Sequence, residues 1–365
     1  MTDACLCVWS VPLFSEVYMG IALAILGLTI LVIVHESGHY LVARALGMRV
    51  LRYSIGIGPT IFRYRPKGSS TVFQLAAIPF LAYVQIAGMN PQEEFDPEDP
   101  EVFPNKSVFA RIAVIAAGPA ANYLFASLVC FGMVLYADPG WPIEPVTPVQ
   151  VGAVMDSTPA EEAGLQPGDV ILRANGETVR DFMHLIEITE PRAGQPTEYV
   201  VKRGGALAPP ILITPAERGD GERSVGRIGV EPLRGATYSG WSGAAEAALV
   251  LPMQLTALQL EGMANMVQSA NTSGLVGPVG MVKLTAKQAE QGADRLVNVL
   301  MVLSVALGLF NLLPIPALDG GRLMFLAYEV VTRKPPNERF EATVHTIGIL
   351  VLLCVIALVT FRELG

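Results

Sequence analysis

The chain has 365 residues, of which 52% are hydrophobic and only 16% charged, against roughly 25% charged in an average globular domain. Its mean hydropathy is +0.45; an ordinary soluble single-domain enzyme is excluded, and so is a disordered chain, which would be apolar-poor and charge-rich. A net charge of −8 leaves no overall basic footprint for nucleic acid.

Four apolar runs organise the chain. Residues 17–34 carry 18 positions without a charge, 112–137 carry 26, 296–318 carry 23 and 346–361 carry 16. A helix needs about 20 mainly apolar residues to cross a bilayer. The first three runs suffice, and the fourth does with His345 and Arg362 at the interfaces. The first run has no Lys or Arg before Arg44, which is not the flank of a signal peptide. The segment 47–110 holds Arg49, Arg52, Arg63, Arg65, Lys67 and Lys106, and the segment between the last two runs holds Arg322, Arg333, Lys334 and Arg339. The positive-inside rule expects both in the cytoplasm, with the N-terminus, residues 138–295 and the C-terminus outside. The acidic positions Glu93, Glu94, Asp96, Glu98, Asp99 and Glu101 read as a solvated surface run.

Residues 145–234 are polar and turn-rich, with short strands expected over 149–154, 170–174 and 199–202. They form a soluble domain behind a linker stiffened by Pro142, Pro145 and Pro148. Residues 244–268 show apolar positions at helical spacing, and 14 uncharged residues are short for a span. An amphipathic helix lying on the outer membrane surface is expected, with a fifth span as the second reading. Cys130 and Cys354 fall in apolar runs and read as small buried hydrophobes. Cys5 and Cys7 form an isolated C-x-C, short of the four ligands of structural zinc.

The chemistry sits at the end of the first run, His35-Glu36-Ser37-Gly38-His39. His35 and His39 are i and i+4 and share one helical face. Such a pair can bind one zinc, with Glu36 beside it as general base. The chain has only four histidines, and an ionisable group in an otherwise apolar helix is costly enough to imply a function. Catalytic zinc takes three protein ligands and keeps a position for water. His184 and His345 are available, but Asp319 is the better third ligand. It ends the third run, after Pro314 and Pro316 break the helix, and lies toward the same membrane side as the histidine pair.

These motifs together resemble the site-2 protease family of intramembrane zinc metalloproteases, in its bacterial regulator-of-sigma-E branch. H-E-S-G-H in the first span and N-L-L-P-I-P-A-L-D-G-G over 311–321 carry the resemblance. A-G-P-A-A-N over 117–122, S-I-G-I-G-P over 54–59 and G-P-V-G over 277–280 extend it along the chain. It implies one catalytic Zn2+ held by His35, His39 and Asp319, and Glu36 activating water. It implies also that Asn311 and Asn122 position the substrate backbone or stabilise charge. It implies a membrane-associated β-hairpin over about 55–84, turning near 67–70, whose edge can accept a substrate strand. The family's usual I-P-x-G-G-Y-V reads here Ile78-Pro79-Phe80-Leu81-Ala82-Tyr83-Val84, with both glycines replaced. The segment 157–176, with its P-G-D and N-G turns, resembles a PDZ domain, as a peptide reader or as a size filter; related proteases carry two such domains and this chain has room for one.

The fold expected is thus a polytopic α-helical membrane protein of about four transmembrane helices, with a membrane-associated β-hairpin region and one extracytoplasmic α+β PDZ domain. Its segments are 1–54 (first span, H-E-x-x-H), 55–107 (hairpin and loop), 108–138 (second span), 139–236 (PDZ), 237–295 (juxtamembrane), 296–321 (third span, L-D-G) and 322–365 (loop and fourth span). The function expected is regulated intramembrane proteolysis in the bacterial inner membrane, with the active site toward the cytoplasmic side. Its partners would be single-pass membrane substrates, such as an anti-sigma factor after a first extracytoplasmic cut or a signal-peptide remnant, a peptide at the PDZ domain, and membrane lipid. The competing readings are a non-catalytic PDZ adaptor with a structural or vestigial metal site, and a transporter, for which no inverted repeat is visible.

Overall fold

The computed structural model describes residues 12–90, 93, 96–136, 141–218, 225–269 and 276–364; Cys5, Cys7 and Glu94 lie outside them. The chain separates into two compact units, residues 1–132 with 245–365, and residues 133–244.

The first unit contains the apolar helices. Helix α1 (Pro12–Ala45) leads into strands β1 (Val50–Tyr64) and β2 (Val72–Ile86), followed by α2 (Val108–Tyr136). After the second unit come α5 (Gly240–Ser269), α6 (Pro278–Gln291), α7 (Ala293–Leu312), α8 (Asp319–Thr332) and α9 (Glu338–Leu364). Four helical stretches are long and apolar enough to cross a membrane: Tyr18–Ala45, Val108–Tyr136, Ala293–Leu312 and Arg339–Glu363. Specific polar contacts join these helices. Ser304 Oγ on α7 donates to the Asn122 carbonyl on α2 at 3.0 Å. In α9 the most apolar window is 0% buried, which leaves Cys354 exposed where sequence expects a buried one; Cys130 is buried against Met301.

The β-region departs from a simple hairpin. Both strands are 15 residues long, and each folds back on itself. Tyr53 pairs with Val84 and Ile55 with Ala82, with residue numbers running in opposite senses. The same stretch also pairs Tyr53 with Phe73 and Ile55 with Leu75, with numbers rising together. Arg63 and Tyr64 in turn pair with Gln74 and Phe73. Four short segments result, in the order 60–64, 72–76, 52–57, 82–86. The first strand bends at Gly56, whose φ of +86° suits glycine; a Cβ there would lie 2.8 Å from the Ile78 carbonyl. Segment 82–86 is then an edge. Tyr53 ties this sheet to α1, its hydroxyl donating to the Ile33 carbonyl at 3.1 Å and lying 2.9 Å from Ser37 Oγ.

Two further features have clear causes. Helix α5 is tied to the other helices through two of its polar side chains. Thr256 Oγ1 is 2.9 Å from the Tyr123 hydroxyl on α2, and Gln259 Nε2 donates to the Val302 carbonyl on α7 at 3.3 Å. The acidic run is not merely solvated: Arg49 pairs with Asp99, and with Glu101 at 3.1 Å.

The second unit is a small α+β domain. Its strands are β3 (Trp141–Pro145), β4 (Val151–Val154), β5 (Val170–Ala174), β6 (Glu177–Thr178), β7 (Thr197–Arg203), β8 (Ala206–Leu207), β9 (Ile211–Ile213), β10 (Ala216–Arg218), β11 (Val225–Arg227), β12 (Val230–Pro232) and β13 (Arg234–Tyr238), with helices α3 (Pro159–Glu162) and α4 (Phe182–Thr189). The main sheet runs β6-β5-β7-β8, with β9 also on β7. Alternate residues of β5 and β7, including Ile171, Tyr199 and Val201, meet Leu185 and Ile188 of α4 in the core, the period of 2 meeting the helical period. Asp181 caps α4, accepting from the His184 backbone N–H at 2.8 Å.

Candidate metal centre

His35 and His39 lie on one face of α1, both 7% exposed. Asp319 arrives from the start of α8. Between α7 and α8 the chain has no helix over residues 313–318, because Pro314 and Pro316 cannot continue one. Ala317 takes φ +81°, a conformation unfavourable for a residue with a Cβ. It is held by His345 of α9, whose Nδ1 accepts from the Ala317 N–H at 3.1 Å. His345 therefore buttresses the turn that presents Asp319, and is not itself among the converging groups. His184 is in the other unit, where its Nδ1 accepts from the Arg180 backbone N–H at 3.3 Å.

The ligand atoms of His35, His39 and Asp319 all lie within 4.8 Å of one another. The two Nε2 atoms are 3.2 Å apart; Asp319 Oδ2 is 3.1 Å from one and 3.3 Å from the other. Tetrahedral zinc with bonds of about 2.0–2.1 Å needs ligand atoms roughly 3.3 Å apart, so the donor set fits the ion. Asp319 Oδ2 is also a buried oxygen without a hydrogen-bond partner, an arrangement that costs free energy unless something else satisfies it.

Both imidazoles are held from behind by α2. His39 Nδ1 is 2.8 Å from the Val114 carbonyl, and His35 Nδ1 is 3.1 Å from the Asn122 amide. Gly118 makes room for them. A Cβ at that position would collide with the His39 ring and come within 2.9 Å of His35 Cε1.

A cleft of about 650 Å3 opens in front of this group. Glu36, Asn311 and Arg322 line it together with the edge segment from Tyr83 to Ile86. The Val84 backbone meets the Glu36 carboxylate, so a strand edge and an acid–base group face the same space. Asn311 donates to the Leu307 carbonyl at 2.9 Å. Arg322 Nη1 donates to the Met89 carbonyl at 3.4 Å. Sequence reasoning brings His35, Glu36, His39, Asn311 and Asp319 to one place, and the structure does the same. Asn122 is close to them but 0% exposed and not part of the cleft wall, so it has no access to a substrate from there. Sequence gives no functional reading for Gly118 or Arg322, and His345, weighed there as a ligand, instead supports the Asp319 turn. Only Gly118 stood inside a quoted motif, and its contribution is the absence of a side chain.

In the second unit, a cavity of about 50 Å3 lies between α4 and residues 226–230. Arg227 pairs with Glu190 beside it at 3.3 Å.

Residues 23–355 match peptidase family M50. Three similar proteins are each named as a candidate zinc metalloprotease: one from Mesorhizobium japonicum is 34% identical over 362 residues, covering 92% of this chain and 96% of the relative. One from Synechocystis sp. is 32% identical, covering 91% of each, and one from Nostoc sp. is 30% identical, covering 92% and 93%. Among solved structures, the PDZ domain of an SdrC-like protein from Listeria monocytogenes is similar over 24% of this chain and 90% of that domain, at 22% identity and a TM-score of 0.21. The family match across most of the chain, meeting a donor set spaced for zinc, means that this chain belongs to peptidase family M50, the site-2 protease family of zinc metalloproteases.

Proposed function

We propose that the chain hydrolyses a peptide bond within or at the edge of a transmembrane helix, using one zinc ion held by His35, His39 and Asp319. The observation that carries this is the single cleft in which three converging ligand atoms, the Glu36 carboxylate and a strand edge meet. Bound there, zinc supplies Lewis acidity, polarising the scissile carbonyl and lowering the pKa of water. Glu36 takes a proton from the attacking water and returns it to the leaving amine nitrogen. Asn311, on the cleft wall, donates to the substrate backbone.

A helical substrate hides its carbonyls in its own hydrogen bonds, so it must unwind to react. Backbone groups in the membrane need partners, and the edge segment 82–86 offers them by strand addition. This strand sits beside Glu36, so pairing and cleavage share one register. The position of Leu81, which replaces a family glycine, is in the backbone of β2 just before that edge.

We read the second unit as a PDZ domain outside the cytoplasm. We infer that this unit acts as a filter that excludes substrates with bulky outer portions. Such a filter makes a prior extracytoplasmic cut a requirement, and a trimmed anti-sigma factor or signal-peptide remnant in the bacterial inner membrane a fitting substrate.

The test pairs zinc content with cleavage of a model transmembrane substrate, on detergent-solubilised full-length protein. Wild type should carry about one zinc and cleave. Glu36→Gln should keep zinc and lose at least about 10²-fold in rate, the lower range for a general base. Asp319→Ala should lose both. Equal cleavage by Glu36→Gln overturns the base assignment, and a wild type without zinc after reconstitution favours the adaptor.

A further inference from the structure

Asn122 poses a problem that its position answers. It is fully buried, and its side chain points at the back of His35 rather than into the cleft. One amide atom sits 3.1 Å from His35 Nδ1, and the amide oxygen is buried without a partner. The residue's place is fixed, since Ser304 on α7 bonds its carbonyl at 3.0 Å.

The neighbouring imidazole shows what such a position does. His39 Nδ1 faces the Val114 carbonyl oxygen at 2.8 Å. A carbonyl only accepts, so His39 carries its proton on Nδ1 and keeps the Nε2 lone pair. Both Nε2 atoms point at the site shared with Asp319, so His35 needs the same tautomer. A half-turn of the Asn122 amide exchanges oxygen and nitrogen with little change of shape. It brings the unpartnered oxygen to His35 Nδ1.

We propose that Asn122 is a positioning residue for the metal. Its amide oxygen accepts the Nδ1 proton of His35, which keeps the Nε2 lone pair of His35 directed at the ion. The proposal rests on the zinc reading above and replaces the substrate-contact role for this residue. Partners of this kind fix the tautomer and raise ligand basicity, and their loss typically costs 10–100-fold in metal affinity.

The experiment measures zinc affinity by chelator competition on the full-length protein, for wild type, Asn122→Leu and Asn122→Asp, with KM determined at saturating zinc. Asn122→Leu should bind zinc about 10–100-fold more weakly. Asn122→Asp keeps the shape and can only accept, so it should bind at least as tightly as wild type. The Asp variant also guards against a packing defect in the Leu variant. Unchanged zinc affinity with a raised KM in Asn122→Leu overturns the proposal and restores a substrate contact. Equal weakening in both variants also overturns it and assigns Asn122 to packing alone. Absence of zinc from the wild type overturns the zinc reading itself, and this proposal with it.

Discussion

At the scale of single residues, the site depends on a side chain that is absent. Gly118 lets α2 lie against both imidazoles, and a Cβ there would strike His39. Neither ring can move away without leaving its own partner, the Val114 carbonyl or the Asn122 amide. Gly118→Ala should therefore fold, since alanine suits a helix better than glycine, yet displace the ligands. A misplacement of about 1 Å in a catalytic group costs on the order of 10²-fold in rate. Cleavage assays beside zinc titration should show that loss with weakened metal binding; wild-type values in both would mean the helices part without cost. The four polar groups His35, Glu36, His39 and Asp319 were legible in sequence because ionisable residues in or beside apolar runs are rare and demand a reason. Gly118 was not, because a glycine in a helix gives no clue to what approaches it.

At the scale of elements, regular periodicity was legible and the turning of the chain was not. The strand expected over 170–174 is β5, and the four helices long and apolar enough to cross a membrane fall on the apolar runs. The fold-back of β1 and β2 was hidden, because alternation specifies a strand but not its second neighbour. The turn 313–318 was legible as a break from its prolines, but not its support by His345, which is 28 residues away. In the second unit, Asp169 shows how such a turn is held. It ends the P-G-D turn, is 1% exposed and accepts two bonds of 2.7 Å from Arg203 on β7. The Arg203 guanidinium holds its carboxyl below the usual carboxylate range, helped by the Gln166 backbone N–H. A carboxyl whose pKa is lower folded than unfolded contributes stability above the unfolded value of about 3.9, lost as pH falls through the folded one. Protection factors of core amides on β5 and β7, corrected for the intrinsic exchange rate at each pH, should thus fall below about pH 4. Asp169→Asn should lose about 1.5–3 kcal/mol at neutral pH, the range for hydrogen bonds to a charged group, and flatten that acid limb. An unchanged acid limb in the variant would assign the pH dependence to other carboxylates.

At the scale of the whole molecule, composition separates a membrane protein from a soluble one, and charge predicts its orientation. Basic residues Arg63, Arg65 and Lys67 cluster at the end of the β-region, and Arg322, Arg333, Lys334 and Arg339 fall between the last two apolar helices. The positive-inside rule predicts both segments on the cytoplasmic side. On that prediction, the helices before and after the β-region take the chain from outside to inside and out again, with residues 141–238 expected outside. The same orientation places the H-E-x-x-H end of α1 and the Asp319 turn on one side, which their convergence independently requires. On the predicted topology, orientation and chemistry are linked: reversing the charge asymmetry would relocate the metal centre as well as the second unit. In a chain with Cys5, Cys7, Cys130 and Cys354 changed to serine, single cysteines at Lys67 and Glu177, both exposed, report the two sides. In intact cells an impermeant thiol reagent should label Glu177→Cys and spare Lys67→Cys, and lysis should expose both. Labelling of Lys67→Cys in intact cells would reverse the orientation, put the second unit in the cytoplasm and remove the basis for its role as a filter on outer substrate segments.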